Sequence, residues 1–277
     1  METNAIHIEH MAYWYNPLRV ILDNIDLAIA ENDFIAILGQ NGSGKTTLLK
    51  NISGLLRPAR GRILIRGKDA GKMGVAEIAG EIGFVMQESD RQLFESTVYD
   101  EVAFSLKRKA AADAKDAVRQ KTEEALAAVG LLDKQDAFPL ALNRAERIKT
   151  VFASVLAMGP RIIMLDEPVA GQDYRGSRMV MDLIAALHRQ NRTIIMVTHN
   201  IDIAAEYARR VIVMNSGRVV MDGSPADVFC REEELAGAGI LPPHITRLSG
   251  RLRREIPLEQ DALLPAELAE MLVRLKR

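Results

Sequence analysis

The sequence predicts an α/β fold built on a largely parallel sheet, and three features carry that prediction. Short apolar, β-branched runs recur at 34–38, 82–86, 162–165, 193–197 and 211–214, each with the length and composition of a strand buried on both faces. Helical stretches separate several of them, the alternation that a parallel sheet requires of its crossovers. The 277 residues are 48% apolar and 26% charged, enough to bury a large core and too apolar for disorder.

The elements follow in order. Within the first 30 residues Ile25, Leu27 and Ile29 face one way with Asp26 and Ala28 between them, the alternation of a half-buried strand. Phe34–Leu38 reads as a buried strand that enters Gly39-Gln-Asn-Gly-Ser-Gly-Lys-Thr46. A helix is expected from Thr46 to about Ser53, stopped by Gly54 and Pro58. Arg62–Arg66 and Ile82–Met86 read as further strands. From Glu95 to Gly159 the character is helical: Thr97 with Asp100 resembles a capping box, and the Ala-rich stretch Ala110–Val129 ends at Gly130. Strands return at Ile162–Leu165, Thr193–Val197 and Val211–Met214, with a helix near Tyr174–Gln190. Asn215-Ser-Gly-Arg218 is a tight turn into Val219–Met221, and Ser224-Pro225 supplies an N-cap and N1 pair. Beyond Phe229 the texture shifts. Glu232–Leu235, Pro242-Pro243 and Pro265–Leu275 suggest a small, mostly helical C-terminal piece. The expected division is 1–230, with a helical subdomain over about 95–160, and 231–277.

Charge and cysteine content narrow the function. Thirty-six Lys and Arg against 37 Asp and Glu give a net charge of −1, which argues against a protein that holds nucleic acid by a general positive field. The single cysteine, Cys230, excludes an intramolecular disulfide framework or a Cys-based zinc site. No apolar run approaches the roughly 18 residues of a membrane span, and Met-Glu-Thr-Asn-Ala lacks the pattern of a secretion signal. A cytosolic protein able to dock on a membrane partner is the expectation.

The loop from Gly39 to Thr46 matches Gly-x-x-x-x-Gly-Lys-Thr in full, between a buried strand and a helix. Glycines there let backbone N–H groups curl around phosphates at the positive end of a helix. Gly39, Asn41, Gly42, Ser43, Gly44 and Thr47 belong to this cradle, Lys45 is expected on the β- and γ-phosphates, and the Thr46 hydroxyl on Mg²⁺. A carboxylate for the metal comes from Ile162-Ile-Met-Leu165-Asp166-Glu167, whose two acids close an apolar strand at the end where α/β sheets bind ligands. Asp166 would hold Mg²⁺ through water, and Glu167 would position or deprotonate the attacking water. A GTPase would want an Asn-Lys-x-Asp guanine reader, and none occurs.

With these residues in place the sequence resembles the ATP-binding cassette (ABC) ATPase family. Gln87 follows the strand ending at Met86, where that family has its Q-loop glutamine, so the resemblance implies a catalytic and metal-binding role for it. His199, after Thr193–Thr198, stands at the family's switch histidine, and Val169-Ala-Gly-Gln-Asp173 at its D-loop. Tyr15 lies where the family stacks an aromatic on adenine, with Tyr13 and Trp14 adjacent as substitutes. The segment Gln87–Phe94, followed by Thr97-Val98 and Glu101–Phe104, is similar to ATPases of energy-coupling factor (ECF) importers. The tail from Leu235 to Leu275 is similar to the C-terminal dimerisation extension of that branch. The resemblance implies a P-loop NTPase with a RecA-like core, an antiparallel β subdomain, a helical subdomain and a small C-terminal helical extension. It also implies a second ABC ATPase, a polytopic membrane T component and a small substrate-binding membrane protein as partners, no nucleic acid, and a peripheral place on the cytoplasmic face of the membrane. The cargo of that branch is a vitamin or a transition-metal ion. Glu88 and Asp90 become plausible partners for an arginine of the membrane subunit.

One motif departs from the family. Its signature, Leu-Ser-Gly-Gly-Gln or Glu, falls 24 positions before the aspartate of the metal site, and here that segment reads Leu142-Asn143-Arg144-Ala145-Glu146. The leucine and the acid remain; the serine and both glycines do not. In the family each ATP lies on one subunit's P-loop and is covered by the other's signature, so Arg144 would either block closure or contact phosphate directly. The expectation is an asymmetric heterodimer in which this chain's P-loop, Glu167 and His199 make the competent site. The reciprocal site, under Asn143, Arg144, Ala145 and Glu146, would bind ATP and turn it over poorly. A soluble ABC ATPase or a nucleotide-sensing regulator is the alternative. The four arginines at 247, 251, 253 and 254 carry no assigned role.

Overall fold

The computed structural model describes residues 4–109, 114–258 and 260–275, apart from the side chains of Ser89 and Asp90. The Ala-rich stretch expected from Ala110 therefore lies partly outside the described residues.

Two sheets organise the chain. The first is antiparallel, in the order β2 (Arg19–Ala30), β1 (Asn4–Asn16), β4 (Arg60–Ile65), β5 (Lys68–Asp69). The second holds six strands in the order β10 (Arg218–Gly223), β9 (Arg210–Asn215), β3 (Phe34–Leu38), β8 (Thr193–Val197), β7 (Ile162–Asp166), β6 (Ile82–Val85). All but the hairpin pair β9–β10 run parallel. The central strands β3, β8 and β7 are buried at every position, and almost wholly apolar, because both their faces are covered. Phe34, Ala36 and Leu38 point into one core with Ile163, Leu165, Ile194 and Met196. Ile35 and Ile37 point into a second core with Met164, Ile195 and Val197, roofed by the antiparallel sheet and by α1 (Lys45–Ile52).

The helical region resolves into α3 (Val98–Lys109), α4 (Lys115–Val129) and α5 (Arg144–Ala157), after the short α2 (Val75–Glu81). Thr97 begins α3 as expected, its Oγ1 accepting from Asp100 N–H at 3.0 Å. The reciprocal bond differs from a capping box, because the Thr97 hydroxyl itself donates to the Asp100 carboxylate at 2.8 Å. Gly130 ends α4 in the left-handed region, φ 68°. Then come α6 (Tyr174–Arg189), α7 (Ile201–Tyr207) and α8 (Pro225–Phe229), the last capped by Ser224 with Pro225 in its first turn. The C-terminal piece holds α9 (Glu232–Gly237), α10 (His244–Leu252) and α11 (Pro265–Leu275). Its packing changes later than its composition does. Leu235, Ala238 and Ile240 belong to the main core, and a separate small cluster gathers Leu258, Ala262 and Leu268. Among the described residues no helix is long and apolar enough to cross a membrane.

Candidate functional site

Four neighbouring strands, β3, β8, β7 and β6, deliver their C-terminal ends to one edge of the parallel sheet. Each end carries a residue singled out in the sequence: the glycine loop after β3, His199 after β8, Asp166 and Glu167 at the end of β7, and Gln87 after β6. All of them line one open cleft of about 1230 Å³. This is the crevice in which open α/β sheets bind ligands.

The loop is held from outside as well as by its own glycines. Gly44, φ 103°, is the N-cap of α1, and a Cβ there would stand 2.7 Å from Leu22 of β2. A Cβ on Gly39 would stand 2.4 Å from the Met214 carbonyl, so any side chain there would push β9 away. The turn between β9 and β10 donates its Gly217 N–H to the Ser43 carbonyl at 3.0 Å. Ser43 turns its hydroxyl inward, where it is buried without a partner, and does not line the cleft. Lys45 Nζ donates to the Gly39 and Gln40 carbonyls at 2.8 and 2.9 Å. Burial lowers its pKa, opposed by the charges of Glu167 and Asp166.

Asp166 is 3% exposed, and burial raises its carboxyl above the ordinary range against a hydrogen bond from Thr46. Its Oδ1 is buried without a partner. An orphaned carboxylate oxygen beside a threonine hydroxyl fits a hard divalent cation such as Mg²⁺. Among the described residues no cluster of three or more His, Cys, Asp or Glu is placed to hold a metal, so water and phosphate oxygens would complete the shell. Glu167 next door stands at φ 53°, unusual for a residue with a side chain. Its N–H donates to the Val197 carbonyl at 2.9 Å. Its Oε2 lies 2.9 Å from His199 Nδ1 and accepts the His199 N–H at 3.3 Å. The pair is thus fixed between β7 and β8, with Glu167 facing the cleft.

Tyr15, 62% exposed, presents its ring to the cleft and meets Tyr13 edge-on at 5.0 Å. Tyr13 is buried, and Trp14 lies beneath the Arg60 guanidinium at 5.7 Å; neither lines the cleft. The loop bearing Gln87 is braced by Gln92, which accepts from Met86 N–H at 2.9 Å and donates to the Phe84 carbonyl at 3.3 Å. Glu101 is buried because its carboxylate accepts the N–H groups of Phe94 and Glu95 at 2.8 and 2.9 Å. Glu88 is exposed and paired with Arg91; the side chain of Asp90 lies outside the described residues.

Besides Ser43, five predicted residues stand away from this cleft. Asp173 caps α6, accepting from Gly176 N–H at 2.7 Å. Asn143 caps α5, accepting from Glu146 N–H at 3.0 Å, and Glu146 returns the bond to Asn143 N–H at 3.3 Å and pairs with Lys134. Ala145 follows in the first turn. Arg144 Nη2 donates to the Ala170 carbonyl, within the segment 169–173, at 2.8 Å.

Sequence reasoning missed part of the cleft wall. Arg19 and Ile21 line it from β2, and Gly239, Pro243, His244 and Arg247 from the C-terminal piece. Gly239, φ 66°, leaves no room for a Cβ because the Gln40 side chain lies against it. Asn215 Nδ2 donates to the Gly237 carbonyl at 3.3 Å, and His244 Nδ1 lies 3.2 Å from Asp202 of α7. The signal was a glycine among helical residues, which sequence alone cannot tell from a cap.

Comparison with known proteins agrees with this geometry. The family described as "ABC transporter" matches residues 22–170. The energy-coupling factor transporter ATP-binding protein EcfA2 of Acetivibrio thermocellus is 38% identical over 256 residues, covering 91% of this chain and 90% of that protein. A putative ABC transporter ATP-binding protein of Caldanaerobacter subterraneus subsp. tengcongensis is 42% identical over 249 residues, 89% of this chain. The chain spans 43% of that relative's length. Among solved structures, cbiO1 from Clostridium perfringens, described as part of the ABC transporter complex cbiONQ, has a TM-score of 0.77 at 33% identity. The likeness covers 91% of this chain and 100% of that one.

Proposed function

From its membership of the ABC transporter family, to which this chain belongs as an ATPase of the energy-coupling factor branch, we propose that it powers an ECF-type importer as one half of an asymmetric ATPase dimer. The observation that carries the reading is the convergence on one cleft of the phosphate loop, Asp166, the Glu167–His199 pair and Gln87. The partners are a second ABC ATPase with an intact signature, a polytopic T component and a small substrate-binding membrane protein that selects a vitamin or a transition-metal ion. The chain sits peripherally on the cytoplasmic face of the membrane, and residues 231–277 hold the two ATPases together.

ATP lies along the loop 39–47 with its phosphates facing the N-terminus of α1. Lys45 exchanges its two carbonyl partners for β- and γ-phosphate oxygens; its desolvation makes that exchange favourable. Thr46 and Asp166, with Gln87, would hold Mg²⁺, which would supply positive charge against that developing on the phosphates. Glu167 orients the attacking water and accepts its proton, while His199 holds the carboxylate in place. Asp173, Asn143, Arg144, Ala145 and Glu146 act at the dimer interface, where the second ATP is covered by the degenerate signature. ATP binding closes the dimer, hydrolysis reopens it, and the motion leaves through the Gln87 loop.

The adenine ring stacks on Tyr15, whose ring faces the cleft with Tyr13 as its support. Tyr15→Ala is expected to weaken ATP binding about tenfold in calorimetric titration, since stacking a base on an aromatic side chain contributes about 1–3 kcal/mol. Trp14→Ala leaves the affinity unchanged.

The assembly is tested by tagging the chain in its native cell, solubilising membranes in mild detergent and identifying what copurifies. A second ABC ATPase with a polytopic membrane protein is the expected result. A homodimer without a membrane partner overturns the reading in favour of a soluble ATPase or regulator.

A further inference from the structure

Arg144 replaces a small residue of the signature, and its side chain is already committed. The guanidinium donates to the Ala170 carbonyl at 2.8 Å and lies over Gly171. A Cβ on Gly171 would stand 2.7 Å from Nη1, so the bare backbone at φ 68° makes the seat in which the planar group rests. One step along, the Ala170 N–H donates to the Glu167 carbonyl at 3.1 Å. Gln172 N–H closes a second turn on the Val169 carbonyl at 3.1 Å. The N–H and the carbonyl of Ala170, in successive peptide links, thus connect the turn that carries Glu167 to the signature helix α5.

Glu167 needs such support. It sits at φ 53°, in a region that L residues occupy only when the surroundings impose it. Three contacts impose it: Val197 on its N–H, His199 on its carboxylate, and the Ala170 turn on its carbonyl. Of the three, the third holds the Glu167 carbonyl from the turn after β7, and the Arg144 side chain donates to that turn. The rest of the degenerate segment is equally self-engaged, since Asn143 and Glu146 cap each other and Glu146 is paired with Lys134.

We propose that Arg144 is a positioning residue for the chain's own hydrolytic site, latching the signature helix to the D-loop and through it fixing the backbone of Glu167. The substitution that weakens the signature's service to the partner's nucleotide thereby gains a role at this chain's nucleotide. The proposal rests on Glu167 being the residue that activates water.

The assembled complex, purified through this chain, tests it. Arg144→Ala is expected to lower kcat about tenfold with KM for ATP within about twofold, because loss of one charge-assisted hydrogen bond loosens the turn without touching a contact to the nucleotide on this chain's own phosphate loop. Arg144→Lys, which keeps a cationic donor, recovers part of the rate. In the isolated chain, hydrogen exchange of the amides between 167 and 173 is expected to accelerate about tenfold in Arg144→Ala. A kcat that is unchanged or higher in Arg144→Ala, or exchange that does not move, overturns the latch. Glu167→Gln separates the two levels: if it leaves the rate unchanged, the reading of Glu167 fails and the proposal with it. If it abolishes hydrolysis while Arg144→Ala does nothing, the latch alone fails.

Discussion

Glu167→Gln is expected to reduce ATP hydrolysis by the assembled complex at least about a hundredfold while ATP still binds. The amide keeps the shape of the carboxylate and can still accept the His199 N–H that now reaches Glu167 Oε2 at 3.3 Å. It cannot take a proton from water, and a positioned base contributes typically 10²–10⁴ in rate. Removing the negative charge beside Lys45 also makes the phosphate site more favourable for a tetra-anionic ligand. The size of the loss reports the symmetry of the dimer. If the site under the intact partner signature carries the turnover, the matching Glu→Gln in the partner leaves most of it. A complex that keeps about half its activity after Glu167→Gln has two working sites, and the asymmetric assembly is then wrong. Steady-state phosphate release together with nucleotide titration separates these cases.

The site was legible in the sequence wherever chemistry and strand ends coincide. Phe34–Leu38 and Ile162–Leu165 announce buried strands because every residue must be apolar when both faces are covered. The acids and glycines that follow them therefore stand out against a uniform background. The backbone contacts that tune the site were not legible. Nothing in Asn143-Arg144-Ala145 says that the guanidinium rests over Gly171, because that depends on how far α5 lies from a glycine 27 positions later. The same limit hid the contribution of Gly239 and Arg247: the composition shift after Phe229 was visible, but its burial against Gln40 depends on tertiary packing. Among three consecutive aromatics, strand alternation alone left Tyr13 and Tyr15 on one face. Only the end of the strand at the cleft selects Tyr15.

Asp166→Asn is expected to abolish Mg²⁺-dependent hydrolysis and at the same time to stabilise the nucleotide-free chain. The argument starts from burial. Asp166 closes β7 inside the sheet, 3% exposed, and its Oδ1 has no hydrogen-bond partner. Burial raises its carboxyl above the ordinary range even though Thr46 donates to it. A group whose folded pKa is raised takes up its proton more readily when folded. Its ionised form therefore costs stability at neutral pH, and that cost is relieved as the pH falls through the folded value toward the ordinary carboxylate range. The neutral amide removes the cost at every pH while keeping an acceptor for Thr46. The amide nitrogen is still a buried polar group, but burying a charge costs more than burying a neutral amide, so a gain of about 1 kcal/mol is expected, seen as a rise of about 2–4 °C in Tm for a chain of this size. Function moves the other way, because the amide offers the divalent cation no charge. Thermal melts check both halves at once. The wild-type chain gains Tm when Mg²⁺ and ATP are added together, whereas Asp166→Asn starts higher and gains little from Mg²⁺ beyond what ATP alone provides. A variant that melts lower than wild type without nucleotide shows that the carboxylate is a structural acceptor. One that keeps the full Mg²⁺ response shows that the cation is held elsewhere. The orphaned oxygen would then have no role in the chemistry, and the strain of burying it would have no functional return.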